Sequence, residues 1–92
     1  MDSKKGRILV NYCGGWGYYS RARFVKVAVE KQFPHTFDFD MKEDDDITGR
    51  LEVTVFLGDE TEGHLVHSKK KGQGFVTDKN VDSLLEKIGA LL

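Results

Sequence analysis

The residues best suited to chemistry in this chain lie in Tyr12-Cys13-Gly14-Gly15-Trp16-Gly17-Tyr18, which carries the only cysteine. Cys13 stands where an apolar strand runs into a glycine-rich turn leading to a helix. A sulfur presented near a helix N-terminus meets the positive end of the macrodipole and unpaired backbone N–H groups, and both favour thiolate over thiol. Gly14, Gly15 and Gly17 allow another backbone, or a peptide-sized thiol, to come close. Arg21, in the first turn of the helix, adds a positive charge that supports the thiolate unless it is simply solvated. The competing reading of a lone cysteine is a buried, inert small hydrophobe. The strand-end position and the glycines favour a held, ionisable and reachable sulfur. Trp16, between two glycines, has little to pack against and is expected to be partly exposed.

Other chemistries fit the residues less well. His35, His64 and His67 suggest a metal, but His64 and His67 are three apart on a strand and point to opposite faces, and Cys13 alone does not complete a ligand set. No Ser-His-Asp or paired-carboxylate arrangement stands out. Gly15-x-Gly17-x-x-Ser20 after a strand imitates a dinucleotide fingerprint but lacks its third glycine. Lys71-Gly72-Gln73-Gly74-Phe75-Val76 resembles an RNA-recognition motif but has Gln73 and Asp78 where stacking rings are required. A formal net charge of −1 also argues against nucleic acid, whose partners are usually basic.

These residues need a scaffold, and the patterning supplies one. Ile8, Val10 and Tyr12 alternate with Leu9, Asn11 and Cys13 in a strand apolar on both faces, as an interior strand of a covered sheet would be. Ser20 is the predicted N-cap of a helix over 21–33, with Phe24, Val25, Ala28 and Val29 on its apolar side, and Pro34 stops it. Phe37, Phe39 and Met41 alternate with Asp38 and Asp40 in a second strand. Glu43-Asp44-Asp45-Asp46 is too polar and too uniform in charge to pack and reads as a solvated loop. Leu51 to Leu57 makes a third strand and Leu65 to Ser68 a short fourth. After a basic turn at Lys69, Lys70 and Lys71, Asn80 caps a final helix carrying Val81, Leu84, Leu85, Ile88 and Leu91 on one stripe. The predicted architecture is α/β, in the order β-α-β-β-β-α. One mixed four-stranded sheet carries two helices on one face, with strands one and two parallel and strands three and four an antiparallel hairpin.

Length and composition bound the rest. Ninety-two residues, 39% hydrophobic and 32% charged, make one small domain over 1–92 with a single core and a surface site. One cysteine forms no internal disulfide, which fits a reducing compartment, and no stretch approaches the roughly 20 apolar residues of a spanning helix. The expectation is a cytoplasmic monomer with neither membrane nor nucleic-acid partners.

Val10-Asn11-Tyr12-Cys13-Gly14-Gly15-Trp16-Gly17-Tyr18 resembles the redox loop of the selenoprotein W family. The resemblance continues through Gln32-Phe33-Pro34, Thr48-Gly49-Arg50-Leu51-Glu52-Val53 and the block from His64 to Val76, so it spans nearly the whole chain. It implies a thioredoxin-like two-layer sandwich and a thiol oxidoreductase using Cys-x-x-selenocysteine or Cys-x-x-Cys, in which one chalcogen attacks and the other resolves. The implied partners are protein thiols and the glutathione or thioredoxin system, with glutathione a co-substrate and no bound cofactor. Family members are also linked to 14-3-3 proteins through this loop. The alternative is therefore an interaction module, redox-inactive, meeting proteins through the loop 14–18 and Lys69, Lys70 and Lys71. This chain departs from the family at one place: Trp16 fills the selenocysteine or second-cysteine position. Tryptophan is what UGA yields when it is misread, and UGA encodes selenocysteine. The expectation is that Trp16 replaces a native selenium residue, leaving a form inactive or confined to monothiol exchange. Thr48-Gly49 is expected where thioredoxins place a cis-proline beside the site.

Overall fold

The computed structural model describes residues 4–92. Its elements run β1 (Gly6–Tyr12), α1 (Tyr18–Gln32), β2 (Phe37–Glu43), β3 (Leu51–Leu57), β4 (His64–Ser68), a wide helical turn (Lys69–Gln73) and α2 (Val81–Leu91). The sheet order is β2-β1-β3-β4, with β1 parallel to β2 and antiparallel to β3, and β3 antiparallel to β4. This is the predicted mixed sheet and matches a thioredoxin-like arrangement. Parallel pairing of β1 and β2 requires a long crossover, which α1 provides, whereas β3 reaches β4 by a hairpin.

Both helices pack on one face. Ile8, Val10, Leu51, Val53 and Val55 are fully buried there beneath Ala22, Val25 and Val29 of α1 and Leu84 and Ile88 of α2. Each fully buried valine or isoleucine contributes roughly 1.5–3 kcal/mol of transfer free energy, so this layer is the main stabilising element. Phe33, at the end of α1, meets Phe37 edge-on at 6.1 Å between ring centroids, which ties the crossover to the start of β2. Among the described residues, the opposite face of the sheet carries no helix. Leu9 and Asn11 are half-buried on it, and the Arg7 guanidinium lies 4.0 Å over the ring of Phe56, its partner in register. As expected, β1 is interior to the sheet and, among the described residues, both helices lie on one face.

Several local expectations also change. α1 begins at Tyr18, not Arg21, and its N-cap is Gly17 in the left-handed region at φ 86°. Ser20 lies inside the helix, where its hydroxyl donates to the Gly17 carbonyl at 2.9 Å instead of capping. Glycine at 17 makes this early entry cheap because no Cβ opposes a positive φ. Asn80 does head α2, but its side chain turns back: Oδ1 accepts from Thr77 N–H at 2.7 Å and Nδ2 donates to the Phe75 carbonyl at 2.9 Å. In β4 the pairing slips between Val53–His67 and Thr54–Leu65, leaving Val66 as an extra residue. The bulge breaks strict alternation, and Val66, His67 and Ser68 are buried in succession. No helix among the described residues is long and apolar enough to cross a membrane.

Candidate functional site

The carboxyl end of β1 is gripped by the segment between β2 and β3. Asp44 N–H donates to the Tyr12 carbonyl at 2.8 Å, Cys13 N–H to the Arg50 carbonyl at 2.9 Å and Gly14 N–H to the Asp46 carbonyl at 3.3 Å. The backbone that glycine admits at position 14 is therefore the protein's own: a Cβ there would stand 2.6 Å from the Asp44 carbonyl oxygen. Beyond it, Tyr18 N–H closes on the Gly15 carbonyl at 3.4 Å, with Gly17 at φ 86°, ψ −11°. Those angles are the ones the third residue of a type II turn adopts, and Trp16 occupies the outward corner before it.

The two chemically important positions of the loop differ in exposure. Trp16 is 100% exposed, more than expected, whereas Cys13 has 0% exposure. The expectation of an openly reachable sulfur is corrected. Cys13 nevertheless borders a surface hollow shared with Gly14, Gly15, Trp16, Tyr19 and Glu43. A Cβ on Gly15 would lie 3.2 Å from the sulfur and 3.5 Å from the Ile47 side chain, so the loop packs directly against Sγ.

Burial resists ionisation of Cys13, but N–H groups of Gly49, Gly15 and Thr48, with the Thr48 hydroxyl, outweigh it and hold the thiol below its ordinary pKa. Gly15 N–H reaches Sγ at 3.2 Å. The Thr48 groups are the weaker contributors, because the Thr48 N–H also serves the Asp46 carbonyl at 3.0 Å and the hydroxyl donates to Asp44 Oδ2 at 2.6 Å. Gly49, at φ 70°, has the left-handed backbone that glycine favours. The influences that lower the thiol's pKa thus come chiefly from amides of its own loop and of the neighbouring crossing. Thr48-Gly49 does lie beside the sulfur. Tyr12, just before it, has its phenol pushed up by burial, by Glu43 and by Tyr19, so it stays protonated.

The acidic run is only partly the solvated loop predicted. The Asp44 side chain is 10% exposed and receives Arg50 on both oxygens, Nε to Oδ2 and Nη2 to Oδ1, each at 2.7 Å. The Arg50 hydrogen bonds drive its carboxyl down to about 2, against the opposing effect of burial. Arg50 also donates to Glu52 Oε1 at 3.3 Å, and Glu52 Oε2 accepts from the buried Ser68 hydroxyl at 3.0 Å. Sequence reasoning missed this network because four like charges in a row conceal which one is paired. Arg50, six residues on and beside a glycine, was the only available signal.

The remaining predicted contributors separate. Arg21 stacks its guanidinium 4.6 Å over the ring of Phe75 and is not among the groups that act on the thiol, so its support for the thiolate is corrected. Phe75 also meets Tyr18 edge-on at 5.2 Å and lies 5.3 Å from Lys69 Nζ. Lys69 donates to the Gly49 carbonyl at 3.3 Å. It is thereby tied to the site's frame, whereas Lys70 and Lys71 are exposed. The histidines go three ways. His67 bonds the Gly74 carbonyl through Nε2 at 2.7 Å, His64 meets Glu60 at 3.3 Å, and His35 follows Pro34 with φ 58°. Among the described residues no group of three side chains is arranged to hold a metal.

The Rdx family model matches residues 7–87. The chain belongs to the Rdx family. It is similar to selenoprotein W of Gallus gallus, 37% identical over 87 residues that cover 94% of this chain and 95% of that one. Selenoprotein W of Danio rerio is 39% identical over 82 residues, 89% and 85% of the two chains. Selenoprotein V of Homo sapiens is 36% identical over 85 residues, 92% of this chain but 23% of that longer protein. The family match runs through every element of the fold and includes the loop that holds Cys13. This supports a redox-related thioredoxin-like protein.

Proposed function

We propose that this protein is a cytoplasmic thiol oxidoreductase of the selenoprotein W type whose exposed position 16 attacks the substrate and whose covered Cys13 resolves the product. The observation that carries the proposal is the contrast in exposure between Trp16 at 100% and Cys13 at 0% around one hollow. A peroxide or protein disulfide meets residue 16 first. With a selenol or thiol there, attack on a peroxide gives the selenenic or sulfenic acid and an alcohol or water. The Cys13 thiolate then displaces water from that group, forming an internal bridge. Two glutathione thiols, or one thioredoxin dithiol, reduce the bridge and leave as disulfide. Trp16 has no atom that can take the first step, and the covered Cys13 does not replace it. The Trp16 form is therefore the inactive counterpart of a protein whose natural residue 16 is selenocysteine.

A peroxide-consumption assay supplied with glutathione or thioredoxin tests this on the Trp16 protein, Trp16→Cys and the selenocysteine variant. The selenocysteine form turns over fastest, Trp16→Cys more slowly and Trp16 at background. Equal background rates in all three would end the enzyme reading. Codon 16 of the gene tests the origin of the tryptophan, with TGA expected and TGG excluding misreading. A second reading, an interaction module for adaptor proteins of the 14-3-3 kind, draws support from exposed Trp16, Tyr19 and Ile47 beside the site, together with Lys70 and Lys71. It takes precedence if partner binding survives in variants that show no thiol turnover.

A further inference from the structure

We propose that the Asp44–Arg50 pair is a positioning device for the redox sulfur, closing the 44–50 segment onto the Cys13–Gly14 backbone and so holding Gly15 N–H on Sγ at 3.2 Å. The inference rests on the thiolate role given to Cys13 above but goes beyond it, since it assigns the state of that sulfur to two residues outside the redox loop.

The geometry is a clasp. Asp44 is held to β1 through its N–H on the Tyr12 carbonyl, and Arg50 is held to the same strand end through its carbonyl on Cys13 N–H. Their side chains then join across the mouth of the segment by two 2.7 Å bonds that use both carboxylate oxygens. Such a fork fixes direction as well as distance, which a lysine cannot reproduce. The residues between follow the same closure, Asp46 through its carbonyl on Gly14 N–H at 3.3 Å. Thr48 is drawn inward by its hydroxyl on Asp44 at 2.6 Å, and Gly49 by Lys69 on its carbonyl at 3.3 Å. Without the clasp, nothing closes the two ends of the segment and keeps the Arg50 and Asp46 carbonyls on Cys13 N–H and Gly14 N–H. The same closure brings the Ile47 side chain up to Gly15, beside the sulfur.

Other groups face the sulfur's surroundings. Glu43 of β2 and Tyr19 of α1 line the hollow, and Lys69 approaches from the end of β4. None of them bridges the two ends of the 44–50 segment. Asp44 and Arg50 side chains touch neither substrate nor the reacting atoms and act through the backbone of the 44–50 segment.

The test is a titration of thiolate ultraviolet absorbance in the intact Trp16 protein, which needs no turnover and stays informative even if residue 16 proves inert. Asp44→Asn and Arg50→Lys each break the fork while leaving side chains of similar size. In both, the Cys13 midpoint is expected to rise by about half a pH unit or more, and amide exchange at Cys13 and Gly14 to quicken. Ile88→Val, a core truncation far from the clasp, serves as the stability control, lowering the melting temperature without moving the midpoint. Midpoints unchanged in folded Asp44→Asn and Arg50→Lys overturn the proposal, as does a shift of the same size in Ile88→Val. If one of the pair variants does not fold, the other decides. Failure of the peroxide assay with normal titration shifts would count against the enzyme reading and leave the clasp standing.

Discussion

Cys13 combines two properties that usually exclude each other, since a sulfur out of water tends to stay a neutral thiol. Here the amides of Gly49, Gly15 and Thr48 replace the water and keep the pKa low, so the sulfur is ionisable yet covered. A bulky aromatic disulfide should accordingly label Cys13 in the folded Trp16 protein roughly a hundredfold more slowly than in denaturant, because labelling must wait for local opening. Equal rates in the two states would mean that the cover is not closed in solution. Asp44 leads to a second expectation at this scale. Its folded pKa of about 2 lies below the ordinary 3.8, so its contribution is full above pH 4 and disappears as pH falls through 2. Thermal unfolding measured across that window should lose about 2 kcal/mol from this residue. Asp44→Asn should show a correspondingly flatter acid limb.

Among the elements, the crossing of β1 with the 44–50 segment is the most tightly specified. Gly14→Ala would drive a methyl group into the Asp44 carbonyl oxygen, with only 2.6 Å between them. Chemical denaturation should show a loss of about 1–3 kcal/mol, since backbone must move to make room. A neutral effect would show that the segment is looser than the geometry implies. What was legible in advance follows from the same considerations. The strands, both helices and their stacking on one face were readable because apolar residues recur with period two or near 3.6. The redox loop was readable from one cysteine among glycines. Three things were not. The start of α1 depended on a left-handed Gly17, which competes on paper with an attractive serine cap. The β4 bulge, which buries Val66 and His67 together, leaves no mark in a five-residue strand. The segment that meets Cys13 and Gly14, residues 44–50, lies more than thirty residues away, and its acidic neighbours pointed to solvent.

The whole molecule divides its work between layers. The helices and the sheet's inner face form the core, and the redox loop and the 44–50 segment meet at one end of β1, where its backbone leaves the sheet. Trp16, Tyr19 and Ile47 surround that end as exposed apolar groups, in keeping with a site that works by meeting another protein or a small thiol at the surface. The central claim is that position 16 reacts first and Cys13 closes the cycle. Its most direct test is the mass of Trp16→Cys after one equivalent of peroxide and quenching of free thiols. The account predicts a chain lighter by two hydrogens with Cys13 bridged to residue 16. A sulfenic or sulfinic acid at residue 16 with Cys13 recovered as a free thiol would contradict it.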